Sequence, residues 1–149
     1  MLVVGIEPRA LWSQERCQPA SLGEAQAMAI KAAELLLAKG PRNGFLILNG
    51  RNGEFVDKDL YVFIFDLNGR IWFNAFFPVA PGRSIIGSRD RNGRCFIQEM
   101  IEVAQNEGEG WVDYDWFSPR KGEMESKSTC VVRVGPLVVG VGAYGIVGL

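Results

Sequence analysis

The chain has no histidine among its 149 residues. That absence removes the usual general base at neutral pH and the commonest metal ligand, and with them Ser-His and Cys-His triads and histidine-based zinc sites. Cysteine is scarce too: Cys17, Cys95 and Cys130 are odd in number, widely spaced and in no CxxC pair, which argues against a disulfide framework. No run of about 18 apolar residues occurs, so no segment reads as a membrane span. Residues 1–6 are too short, and lack the basic lead-in, to be an intact signal peptide. The chain therefore reads as cytoplasmic if whole, or extracytoplasmic if it is a trimmed receptor fragment. Positive charge is not concentrated either. The 16 Lys and Arg are scattered against 17 Asp and Glu, for a net charge of −1, so the footprint of a nucleic-acid binder is missing.

What is present is a folded composition, 48% hydrophobic and 22% charged, with 18 glycines and 7 prolines to make tight turns. The length fits one domain with its own core. Residues 1–20 show no sustained period and read as an irregular segment, leaving 21–149 as the single domain. Ser21 and Glu24 have the spacing of a capping box, in which serine hydroxyl and glutamate carboxylate satisfy each other's free backbone amides. Ala25, Met28, Ala29, Ala32, Leu35 and Leu36 then recur at three- and four-residue intervals, and Gly40-Pro41 is a stop, so a helix is predicted over 21–39.

Beyond it, Asn-Gly pairs at 43–44, 49–50, 52–53, 68–69 and 92–93 punctuate short apolar segments in the way hairpin turns do. Strands are predicted over 60–65 and 70–77 as a hairpin, then over 111–117, 126–134 and 137–144. A second helix is predicted over 94–106, following a polar loop at 78–93. The expected fold is α+β: an antiparallel sheet with a long N-terminal helix and a second helix between strands.

Several motifs have bland explanations. Gly140, Gly142 and Gly145 match GxGxxG after a strand, but no helix start or distant acidic residue follows, so they read as places of close backbone approach. Asp113 and Asp115 share one face of their strand while Tyr114 and Trp116 share the other, and the paired acids read as a solvated face. Asp66, Asn68 and Gly69 read as hairpin chemistry, not a calcium loop. Lys127 and Arg83 would singly be surface charges, but with Tyr114 and Trp116 they are residue types that hold a small anion.

From about residue 35 to 145 the order of these pieces resembles the single Cache domain of bacterial chemoreceptors and histidine kinases. The likeness is carried by 59–69 (DLYVFIFDLNG), Gly82-Arg83, 90–93 (DRNG), 96–99, 108–119 (GEGWVDYDWFSP) with Lys127, and 142–144. The resemblance implies a PAS-like fold whose concave sheet face holds a small ligand, commonly a short carboxylate, with no cofactor. It implies a pocket formed by Trp72, Asn74, Arg83, Tyr114, Trp116 and Lys127. Two positions depart from the family pattern: Asn74 stands where relatives carry histidine, and Cys130 where a tyrosine follows the lysine. The expected function is a non-enzymatic sensor for an anionic metabolite, binding of which favours one arrangement of the N-terminal helix against the sheet. The rival expectations are a ligand-free module of the same fold, dimerising through residues 21–39 with its pocket filled by its own aromatics, and, last, an enzyme using Asp113, Asp115 or Cys130.

Overall fold

A computed structural model of the protein describes residues 19–50 and 54–145. The reading of 1–20 as irregular, Cys17 and the pair Asn52-Gly53 thus lie wholly or largely outside the described residues. No helix among those described is long and apolar enough to cross a membrane.

Helix α1 (Leu22–Gly50) begins as the capping box requires. The Glu24 amide donates to Ser21 Oγ at 3.1 Å, and Glu24 Oε1 accepts from the Ser21 amide at 3.3 Å. Its inner face is built from small residues: Ala25, Ala29 and Ala32 are fully buried, which lets the helix lie close on the sheet. The predicted stop is a kink. Gly40 has φ 76° and ψ 164°, outside helical space, yet helical structure resumes at Pro41, a residue suited to a helix's first position. Asn43-Gly44 and Asn49-Gly50 are therefore helical, not turns. Gly44 is required for another reason: a Cβ there would sit 2.6 Å from Leu36 Cδ2, so glycine permits the resumed helix to pack against the first.

After the short pair β1 (Val56–Asp57) and β2 (Leu60–Tyr61) come β3 (Phe63–Asp66), β4 (Arg70–Asn74), β5 (Arg83–Ser84), helix α2 (Phe96–Glu107), β6 (Glu109–Ser118), β7 (Glu123–Val134) and β8 (Leu137–Tyr144). The main sheet has six strands in the order β5-β4-β3-β8-β7-β6, every neighbouring pair antiparallel. The last strand in sequence is thus central, and all its residues are buried. Helix α2 ends at Gly108, left-handed at φ 77°, whose amide caps the Ala104 carbonyl.

The hairpin arms are shorter than predicted. Strand β4 ends at Asn74 because its Oδ1 accepts from the Phe76 and Phe77 amides at 2.9 and 2.8 Å, turning the chain out of the ladder. The turn before it is made by Asp66, whose Oδ1 accepts from the Asn68 and Arg70 amides, and by Gly69 at φ 80°.

The sheet separates two apolar clusters. On one face α1 packs on Ile64, Phe73, Cys130, Val139, Val141 and Ala143. On the other, α2 packs through Phe96, Ile97, Met100, Ile101 and Ala104 against Val112, Tyr114, Val131 and Val138. Helix α2 covers only part of that second face, and the remainder forms a hollow.

Candidate functional site

The hollow is a cavity of about 290 Å³, bounded by β3, β4, β6 and β7, by the start of α2 and by the chain between β4 and α2. Its walls are mainly apolar, from Phe63, Ile71, Phe77, Val79, Ile85, Phe96 and Ile97. Its charged lining residues are Lys127 and Arg83; among the described lining residues none is aspartate or glutamate.

Lys127 reaches this place through strand alternation and two glycines. Along β7, Lys127, Thr129 and Val131 face the cavity side, whereas Cys130 packs beneath α1. On the adjoining strand a Cβ at Gly142 would lie 2.3 Å from both Lys127 Cε and Thr129 Oγ1, and one at Gly140 would lie 2.4 Å from the Phe63 ring. The glycines of the GxGxxG match thus leave a trough for the lysine stem and a phenyl ring.

The Lys127 side chain is 1% exposed. Its Nζ donates to Tyr61 Oη at 3.0 Å and lies 4.2, 4.9 and 5.4 Å from the ring centroids of Tyr61, Tyr144 and Phe63. Three aromatic faces stabilise an ammonium there. They do not replace water: burial pulls its pKa from 10.5 down to about 7, against the field of Asp59, which favours the charged form. Among the described residues, one of its three donors has a protein partner.

Tyr61 passes the contact on. Its hydroxyl is 3.1 Å from Tyr144 Oη, which donates to the Phe117 carbonyl at 2.7 Å. Burial pushes the Tyr61 phenol up to about 12, against hydrogen bonds with Tyr144 and Trp116 that favour the phenolate. All of these phenols are neutral at physiological pH.

Tyr114 and Trp116 are on the cavity side of β6, as the alternation predicts. Tyr114 stacks on Phe96 at 4.4 Å and 4°, and Trp116 meets the same ring edge-on at 5.1 Å. The Tyr114 hydroxyl is shared with Thr129 Oγ1 at 3.0 Å, and desolvation raises its pKa far above normal. Tyr114 is therefore a wall whose polar end is satisfied by the protein. Asn74 lines the opposite side; with Oδ1 committed to two backbone amides, its NH₂ group is the half left to donate. Arg83, on the edge strand, is exposed and makes no ion pair among the described residues.

Of the six residues expected in a pocket, five line this one cavity and Trp72 does not. Parity would put Trp72 and Asn74 on one face, but Ile64 pairs with Phe73 while Phe65 pairs with Ile71. Trp72 is the extra residue of a bulge, which re-aims its neighbours. Its indole N–H donates to Asp66 Oδ2 at 2.9 Å, and with burial opposing, this bond and the turn amides keep the Asp66 carboxyl below its ordinary value. The departure at Cys130 likewise falls away from the cavity. Its thiol is pushed up to about 12, chiefly by burial and further by the charge of Glu109, a poor nucleophile. Asp113 and Asp115 are tied up structurally: Asp113 Oδ1 accepts from Ser128 Oγ at 2.6 Å, and Asp115 Oδ2 accepts from Arg91 Nε and Asn92 Nδ2.

Sequence reasoning missed Tyr61, the partner of Lys127. A tyrosine within an otherwise apolar core strand was the available signal, since a buried phenol needs a partner.

An antiparallel sheet with a long N-terminal helix on one face and a half-covered, cation-bearing hollow on the other is the PAS-like α+β architecture that the sequence implied. The family model described as Cache domain matches residues 50–145, and the chain belongs to that family. Among solved structures it is similar to a periplasmic sensor domain of a chemotaxis protein (24% identity, TM-score 0.73, covering 93% of this chain and 99% of that one). It also resembles a methyl-accepting chemotaxis protein from Vibrio parahaemolyticus RIMD 2210633 (19%, TM-score 0.69, covering 91% and 92%). A third likeness is to a Cache chemosensory domain solved to explain carboxylic acid recognition (17%, TM-score 0.73, covering 95% and 100%).

Proposed function

We propose that this Cache domain is a sensor module that binds a small anionic metabolite, in the first instance a short carboxylate, for bacterial signal transduction such as chemotaxis, and catalyses no reaction. The observation that carries the reading is Lys127: a buried ammonium in a cavity, with one hydrogen bond and no carboxylate among the described lining residues. A carboxylate would give it the charged partner it lacks, in surroundings that strengthen the bond. Arg83 supplies a second positive charge, Asn74 a directional donor, and Tyr114 and Trp116 the walls. The similarity to a domain that recognises a carboxylic acid supports the same ligand class.

Thermal-shift titration with acetate, propionate, pyruvate and lactate tests it. A rise in melting temperature that saturates with ligand is expected, and Lys127→Ala should abolish it. A flat response to all four acids, or an undiminished one in the variant, would refute this site.

Homodimerisation through α1 is a separate proposal, favoured by Leu37 and Leu46, which are 71% and 67% exposed on that helix. Sedimentation should then show a concentration-dependent dimer that Leu37→Glu dissociates; a monomer at every concentration would remove the proposal.

A further inference from the structure

Resting on the carboxylate reading, we infer that this cavity selects acids whose other polar groups are acceptors, and rejects the corresponding amino acids, with Asn74 as the specificity-determining residue. Three features converge. The Asn74 amide cannot flip without cost, because Oδ1 accepts from both Phe76 and Phe77 at 2.9 and 2.8 Å and holds the turn that ends β4. Its nitrogen is thereby committed to donating, which suits an oxo, hydroxyl or carboxylate oxygen and opposes an ammonium. The two charged groups lining the cavity, Lys127 and Arg83, are cations. Among the described lining residues the other polar side chains, Tyr61, Ser84, Ser88, Tyr114 and Trp116, are neutral.

An α-ammonium would enter a mostly apolar hollow that already contains one fully buried ammonium. Like charges brought together without water cost several kcal/mol. The match is opposite for a 2-oxo acid: its carboxylate answers Lys127, and its second oxygen is an acceptor for an NH₂ group that is unpaired among the described residues. The discrimination resembles any site in which a committed donor meets the wrong partner, where the loss far exceeds that from a missing methylene.

The test is calorimetric titration of the 149-residue chain with three matched pairs: pyruvate and alanine, 2-oxoglutarate and glutamate, 4-methyl-2-oxopentanoate and leucine. In any pair whose oxo acid binds, the amino acid should bind at least about a hundredfold more weakly. Asn74→Asp keeps an oxygen for the Phe76 and Phe77 amides, so the turn survives. It replaces the NH₂ with a second carboxylate oxygen, and should weaken the oxo acid while narrowing the gap to the amino acid. Amino acids binding within tenfold of their oxo partners, or an unchanged gap in Asn74→Asp, would overturn the inference and leave the carboxylate reading standing. Failure of all six compounds, together with the four simple acids above, would overturn both.

Discussion

Replacing Lys127 by methionine should make the empty protein more stable, not less. Lys127 is buried, and its pKa falls from 10.5 to about 7 on folding. At about 1.4 kcal/mol per tenfold change in proton affinity, holding this lysine charged in the fold costs roughly 5 kcal/mol relative to water. Methionine fills similar volume without the charge. The lost Nζ to Tyr61 bond returns about 1 kcal/mol to the other side, and the Tyr61 hydroxyl keeps Tyr144. The sign with pH follows from proton counting. Between pH 7 and 10.5 the unfolded chain binds more protons than the folded one, so the wild type gains stability as pH rises through that window. The advantage of Lys127→Met should therefore be largest near pH 6, about 4 kcal/mol, and nearly gone by pH 10, as measured by urea unfolding at both values. An advantage that is constant or grows with pH would refute the argument. Carboxylate binding inverts the relation, because the bound anion requires the protonated lysine. Wild-type affinity should be full below pH 7 and fall about tenfold per pH unit above it.

Gly142→Ala places a methyl 2.3 Å from Lys127 Cε, so the lysine stem must shift and calorimetry should show at least about tenfold weaker carboxylate binding; wild-type affinity would mean the trough is not needed. Asp90→Ala removes a buried carboxylate that accepts from the amides of Asn92, Arg94 and Asp115, and should cost about 2–3 kcal/mol in urea unfolding. Burial opposes ionisation of Asp90, but those amides hold its pKa below 3.8, so its contribution is present above pH 3.8 and lost as pH falls through the lower folded value. The gap between wild type and variant should close in acid. Ser21→Ala removes half of the capping box and should cost about 1 kcal/mol, readable in the same assay; no change would mean the start of α1 frays.

Much of the fold was legible because local chemistry and tertiary packing agree. Ser21 and Glu24 cap α1, the alanine stripe is buried, Gly108 caps α2, and β8 runs as its buried residues predict. Where they disagree, a distant partner intervenes. Asn43-Gly44 has the composition of a turn, but it lies in the helix that resumes at Pro41, and its glycine serves packing, because Leu36 stands where a side chain at 44 would go. Strand alternation assigned Tyr114 and Trp116 to one face of β6, the face that lines the cavity, whereas Lys127 and Trp72 came from the family likeness; Lys127 lines the same cavity and Trp72, the extra residue of a bulge, does not.

The sequence by itself determined most of the element types and the family likeness, since these depend on spacing, propensity and side-chain chemistry. Only the tertiary structure decided that Lys127 is buried over Gly142 and bonded to Tyr61, 66 positions away, that Asn74 presents its nitrogen and not its oxygen, and that Cys130 faces α1. The Lys127 contacts depend on β8 lying at the centre of the sheet between β3 and β7, a long-range pairing that periodicity along one chain does not encode.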